Sequence, residues 1–379
     1  MIWFRYLLLI GLILNSLSGQ EYVPDRIIVK LAPDISRNDF SSILDTNNYV
    51  VEKVLVRRLN IISVKLKNNQ ISPLDAIKEF RNNPFVDKAI LDTKVSRRDM
   101  PDDMQFDQQW ALHNVGQSGG TEDADIDAPE AWGIATGGVT PLGDTIVVAI
   151  VDGGMLLTHA DLTPNLWTNW GEIPGNGIDD DNNGYVDDVH GWDAYSSDGS
   201  VPSDGHGTHV AGIVGAKGNN GVYVAGVNWN VKLMPIAGSS GTTSIVLEAY
   251  GYALDQRAIY DSTDGSSGAF VVATNSSFGV NNADCNSGNY SLWNDMYDAL
   301  GQYGILSCGA TMNNNSNVDV TGDVPTGCES EYMISVTNTT RNDAKNSGAA
   351  YGATTIDLGA PGTQILSTYT GGGTSSLSG

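Results

Sequence analysis

Apolar and polar positions change period several times along the chain, and each change predicts an element. Residues 1–19 place Arg5 ahead of an apolar run, Tyr6–Leu14, with the small residues Ser16, Ser18 and Gly19 behind it. The run is too short to cross a bilayer comfortably and predicts a secretory signal peptide, cut near Ser18 or Gly19. Over residues 20–100, strand-like runs at Asp25–Leu31, Ile61–Leu66 and Val86–Leu91 enclose helical spacings at Asp39–Thr46 and at Leu74–Asn82. This β-α-β-α-β order predicts a small α+β unit. Val95–Pro101 then reads as a polar linker.

From residue 101 to residue 379 the pattern alternates short apolar runs with longer helical ones, which predicts α/β architecture with a mainly parallel sheet. Ile146–Val151 is an unbroken apolar run ending in the carboxylate Asp152, as expected of a buried strand with chemistry at its carboxyl end. Ser203–Gly215 opens polar and glycine-rich, then turns apolar with small residues at close spacing. It predicts a loop running into a tightly packed helix, with His206 in the first turn. Val231–Ala237 and Tyr332–Thr337 read as further strands, Ala269–Gly279 as a strand leading into a loop, and Ser244–Gln256 as a helix. Asp127, with Pro129 and Glu130 after it, predicts a capped helix start.

Charge divides the chain. Residues 1–100 hold 15 Lys and Arg and 11 Asp and Glu, while residues 101–379 hold five and 33, a net of −28. The acidic body excludes nucleic acid as a partner, because phosphates select basic faces. The basic front segment is its electrostatic complement. Cys285, Cys308 and Cys328 make an odd count. Cys285 and Cys328 are the expected pair, because Cys308 lies in an apolar strand.

Some acidic residues are concentrated. Asp179, Asp181 and Asn183, followed by Gly184, copy the first half of an EF-type calcium loop. No glutamate stands at the closing position, so Asp187 or Asp188 must complete the shell. Five carboxylates within ten residues repel one another unless a cation sits among them. His209, one helical turn from His206, reads as structural. A His-x-x-His zinc pair would need the adjacent glutamate of H-E-x-x-H enzymes.

V-A-I-V-D-G-G at residues 148–154 and D-G-H-G-T-H-V-A-G at residues 204–212 resemble the subtilisin-like serine proteases, the subtilases. Phe106–Leu112 and Asp125–Trp132 resemble the amino-terminal part of their catalytic domain. The resemblance implies a three-layer subtilisin-like fold with a mainly parallel sheet, preceded by a small α+β propeptide. It implies a signal peptide at 1–19, a propeptide at 20–100 and a catalytic domain at 101–379. Asp152 and His206 would be the acid and base of a Ser-His-Asp triad. Asn313 would donate to the oxyanion, with Asn314 and Asn315 as alternatives. Ser277, Phe278 and Gly279 would wall the pocket for the residue before the scissile bond. Asp161 and Asn220 would belong to a second structural Ca2+ site, and Asp357–Gly362 would form the family's G-A-P-G turn.

The implied protein is a secreted, monomeric endopeptidase made as a zymogen, with peptide substrates and its own propeptide as partners and no membrane span in the mature form. The family's nucleophile is expected two residues past Gly379; Ser375, in Gly373–Ser376, stands at the wrong spacing. The alternatives are a catalytically inactive subtilase-fold calcium-binding or adhesion module, and a calcium-dependent protein without peptidase chemistry.

Overall fold

The computed structural model describes residues 22–33, 35–68, 70–93 and 100–379. The signal-peptide reading and most of the linker reading lie outside them. The chain divides into two compact units, 1–97 and 98–379.

The first unit runs β1 (Tyr22–Leu31), α1 (Arg37–Ile43), β2 (Tyr49–Val56), β3 (Ile61–Leu66), α2 (Pro73–Arg81) and β4 (Val86–Thr93). Its antiparallel sheet has the order β2-β3-β1-β4. Alternate residues of β1 and β3 (Ile27, Val29, Leu31, Ile62, Val64) meet Phe40 and Phe80 of the helices in one core. Ser36 and Ser72 cap the helices, each Oγ accepting a backbone N–H three residues on. The pattern did not predict β2. Register shifts between Val51 and Lys53 and between Val54 and Val56 break its alternation.

The second unit opens with α3 (Ala128–Trp132) and then enters the sheet at β5 (Val147–Asp152). There follow β6 (Trp192–Asp193), α4 (Gly205–Gly215), β7 (Lys232–Ala237), α5 (Thr243–Ser262), β8 (Val271–Ser276) and β9 (Val280–Asn281). The chain continues through α6 (Ser291–Gln302), β10 (Leu306–Ala310), α7 (Val318–Thr321), β11 (Asp323–Val324) and β12 (Met333–Thr339). It closes with β13 (Leu358–Pro361), β14 (Ile365–Tyr369) and β15 (Gly373–Leu377).

Seven strands form one parallel sheet in the order β13-β12-β10-β8-β5-β7-β6. Both faces are covered. Val147, Ala149 and Val151 of β5 face a core with Tyr250, Trp293 and Tyr297 of α5 and α6. Ile150 faces the other core, with Ala211 of α4 and Leu233. Continuous apolar strands are what burial on both faces requires. The chain builds β6 and β7 on one side of β5, then returns to build β8, β10, β12 and β13 on the other. A crevice opens at such a reversal, beyond the carboxyl ends of the strands, and Asp152 ends β5 at that point.

Two local expectations need correction. Asp127 stands at the N-cap of α3, but in the left-handed region (φ 53°) and with no capping bond from its side chain. Asp125 Oδ1 instead accepts the Asp127 N–H at 2.6 Å. The G-A-P-G segment is not a free turn: Leu358–Pro361 adds an edge strand to β12, where a proline is tolerated. Cys285 and Cys328 form the disulfide, and Cys308 is a free thiol in β10.

Candidate active site

Helix α4 is held against β5 by small residues and hydroxyls. Asp204 caps it, Oδ1 accepting the Gly207 N–H at 2.8 Å. A Cβ on Gly207 would overlap the Gly154 carbonyl and stand 3.0 Å from Asp152 Cβ. Only glycine lets the first turn come this close to the end of β5. On the far side, Ser367 Oγ and Thr368 Oγ1 of β14 donate to the His209 and Thr208 carbonyls, both at 2.7 Å.

This packing brings His206 Nδ1 to 2.9 Å from both carboxylate oxygens of Asp152. The Asp152 side chain is 4% exposed and that of His206 53%. Asp152 Oδ1 also accepts the Gly153 N–H at 2.7 Å, which fixes the carboxylate. A carboxylate can only accept, so the Nδ1 proton faces Asp152 and Nε2 is left as the basic nitrogen. The hydrogen bond to Asp152 raises the His206 pKa; burial opposes this, and the charges of Asp152 and Asp204 add to it.

His206 borders a cleft of about 590 Å³ whose lining includes Ser277, Phe278, Gly279 and Asn313. Sequence reasoning named these residues separately, and the fold brings them to one crevice. Asn314 and Asn315 are not in that lining, and Asn315 Oδ1 accepts from Lys345 Nζ at 3.0 Å. Ser378 and Gly379 also line the cleft. Ser378 Oγ accepts the Gln364 N–H at 2.9 Å, and Ser375 pairs with Ser367 across the β14–β15 hairpin. His209 is buried, with Nε2 donating to the Ile365 and Ser375 carbonyls at 2.9 and 3.1 Å. Burial lowers its pKa.

The expected metal ligands separate into two places. Asp161 is fully buried and accepts from Asn220 Nδ2 at 3.1 Å and from the Val224 N–H at 3.0 Å. Asp103 is buried beside it, its Oδ1 without a hydrogen-bond partner. Burial raises the pKa of both carboxyls. Two buried carboxylates with an orphaned oxygen could supply donors to a hard cation. Asp103 was missed in the sequence because a polar pair after Pro101 carries no periodic signal.

In the acidic loop, ligand oxygens of Glu172, Asp179 and Asp181 lie within 4.8 Å of one another. Asp187 and Asp188 are not among these three. Asp187 accepts the Asn176 and Gly177 N–H groups at 3.1 and 2.8 Å. Asp188 is buried and accepts from Asn169, Asn183, Tyr252 and Gln256, with burial pushing its pKa up to about 6. Asn183 donates to Asp188, while its Oδ1 accepts the Tyr185 N–H at 2.7 Å.

Residues 143–379 match the family model described as the subtilase family of S8 peptidases. The chain belongs to the subtilase family. Residues 12–91 of this subtilase match the fervidolysin N-terminal prodomain. It is 30% identical over 315 residues to an extracellular protease of Xanthomonas campestris, covering 79% of the chain and 48% of that protein. It is 30% identical over 260 residues to thermitase of Thermoactinomyces vulgaris, covering 67% of the chain and 74% of thermitase. A solved protease of Pseudoalteromonas arctica superposes with a TM-score of 0.50 at 25% identity, covering 74% of this chain and 80% of that one. The subtilase spans 48% of the Xanthomonas protein and 27% of a Bacillus subtilis cell wall-associated protease, and so half or less of each. Among its described residues no helix is long and apolar enough to cross a membrane.

Proposed function

We propose that this chain carries the acid and base of a secreted serine endopeptidase made as a zymogen. The observation behind this reading is the pairing of His206 Nδ1 with Asp152 at 2.9 Å on the border of the cleft that Asn313 lines. His206 Nε2 takes the proton of a serine hydroxyl as the oxygen attacks the peptide carbonyl. Asp152 keeps the ring in the productive tautomer and stabilises the imidazolium. The imidazolium returns the proton to the leaving amine, and the acyl-enzyme is hydrolysed by the reverse sequence. Asn313 Nδ2 donates to the oxyanion together with a backbone N–H. Ser277, Phe278 and Gly279 form the wall along which the substrate strand pairs.

The nucleophile in this reading is a serine that the 379 residues do not include. Gly379 lies in the same cleft as His206 and beside Asn313. Residues 1–19 are the signal peptide, 20–100 the propeptide and 101–379 the catalytic part. Asp103, Asp161 and Asn220 hold one structural Ca2+; Glu172, Asp179 and Asp181 hold another. The names of the extracellular and cell wall-associated relatives support secretion.

The test is casein cleavage by the full-length gene product. Wild-type protein is expected to cleave and to be labelled by a serine-directed phosphonate. His206→Ala should lose activity by about 10⁴-fold or more. A folded wild-type protein that leaves casein intact, or a variant that cleaves normally, overturns the reading.

A further inference from the structure

Asp323 is a buried carboxylate in the wall of the cleft, 1% exposed. It begins β11, which pairs antiparallel with β9, the strand that directly follows Ser277–Gly279. Gly279 packs so closely on Val324 that a Cβ there would overlap the Val324 carbonyl. The Asp323 segment and the Ser277–Gly279 segment therefore form one wall. From the opposite side, the Met312 N–H, next to Asn313, donates to Asp323 Oδ2 at 3.1 Å. Thr326 Oγ1 donates to the same oxygen at 2.6 Å.

These two hydrogen bonds fall on Oδ2 and the Val324 N–H also reaches the carboxylate, but among the described residues no lysine or arginine forms an ion pair with Asp323. Buried carboxylates ordinarily have a cationic partner, because desolvating an unpaired charge is costly. Burial accordingly pushes the Asp323 carboxyl up. The partner can come from outside. Phe278, Ala310 and Met312 supply apolar surface in the same cleft, suited to the methylene stem of a long cationic side chain. With five Lys and Arg against 33 Asp and Glu in residues 101–379, the surrounding field also attracts cations.

We propose that Asp323 selects substrates with a cationic side chain, arginine or lysine, immediately before the scissile bond. This rests on the peptidase reading above and adds the charge that the cleft prefers. Asp323 acts on specificity, through ground-state and transition-state binding of that side chain, and takes no part in proton transfer.

The experiment compares peptide p-nitroanilides with one shared leader and a final Arg, Lys or Phe, using the full-length protein. Arg and Lys substrates are expected to exceed Phe in kcat/KM by about tenfold or more. In Asp323→Asn the Arg-to-Phe and Lys-to-Phe ratios of kcat/KM should fall by about tenfold or more. Benzamidine, an arginine-like cation, should inhibit the wild type competitively and lose that effect in the variant. Cleavage after Phe equal to or faster than after Arg in the wild type overturns the proposal. So does an unchanged Arg-to-Phe ratio in a folded variant. If Asp323→Asn does not fold, the wild-type ratio and benzamidine inhibition decide. Failure to cleave any of these peptides or casein would instead sink the peptidase reading.

Discussion

His206 is more than half exposed, yet the carboxylate that holds it is almost wholly buried. In the proposed mechanism the exposed ring meets the substrate, and the buried carboxylate stabilises the charge the ring acquires. Because that hydrogen bond raises the His206 pKa, the imidazolium persists to higher pH than in an ordinary histidine, whose pKa is near 6.5. The base works only when neutral. The acidic limb of kcat/KM should therefore lie above 6.5 in the wild type. In Asp152→Asn the limb should move to lower pH and the rate fall by about 10⁴-fold. A limb that stays in place in Asp152→Asn would remove Asp152 from this role. Asp152 and His206 were legible because each ends or starts an apolar element, where side chains reach the crevice. The surroundings of Asp188 were not legible, for the opposite reason. In a run of five carboxylates the sequence does not say which one turns inward, and this one turned to four neutral donors. Glu172, eight residues before Asp180, returns to the loop through a hydrogen bond from the Asp180 N–H.

At the scale of elements, β5, β7, β8, β12 and α4 followed from their apolar runs, while β2, β6 and β13 did not. Bulges erased the period of β2, and Gly359 and Pro361 gave β13 the composition of a turn. The packing of α4 could not be read from the sequence either, because it depends on what faces Gly207. Replacing Gly207 by alanine would force the first helical turn away from Gly154 and Asp152. A displacement of about 1 Å at the base costs about 10²-fold in rate. Gly207→Ala is thus expected to lose activity on that order while keeping its far-ultraviolet circular dichroism. Activity within about threefold of wild type would show that α4 tolerates the shift.

The whole molecule divides by charge as it does by fold. The acidic second unit keeps carboxylates where an electrostatic argument would remove them, at Asp103 and Asp161 and around Glu172, Asp179 and Asp181. Calcium binding to the folded state at 100 to 1,000 times Kd adds about 3–4 kcal/mol. For a domain of this size, chelation should lower the Tm by about 5–15 °C, and Asp103→Ala should reduce the calcium-dependent part of that difference. A melting curve that EDTA leaves unmoved would remove calcium from this account. The division into two units was legible in the composition; the nearness of Asp103 to Asp161 was not, because the two carboxylates stand 58 positions apart in the sequence.

The segment around Asp103 is also stitched to a distant loop. Asn219 N–H donates to Asp103 and Gly221 N–H to Asp102, while Gln105 N–H donates to the Tyr223 carbonyl. Fraying starts at chain ends, and a backbone must come loose by several residues before it fits another molecule's cleft. A cut upstream of Pro101 would create an end that is already fastened within its first few residues. Under the peptidase reading, each active copy in solution would be a substrate for the others. The stitching would then set how long one survives, through autolysis as much as through heat.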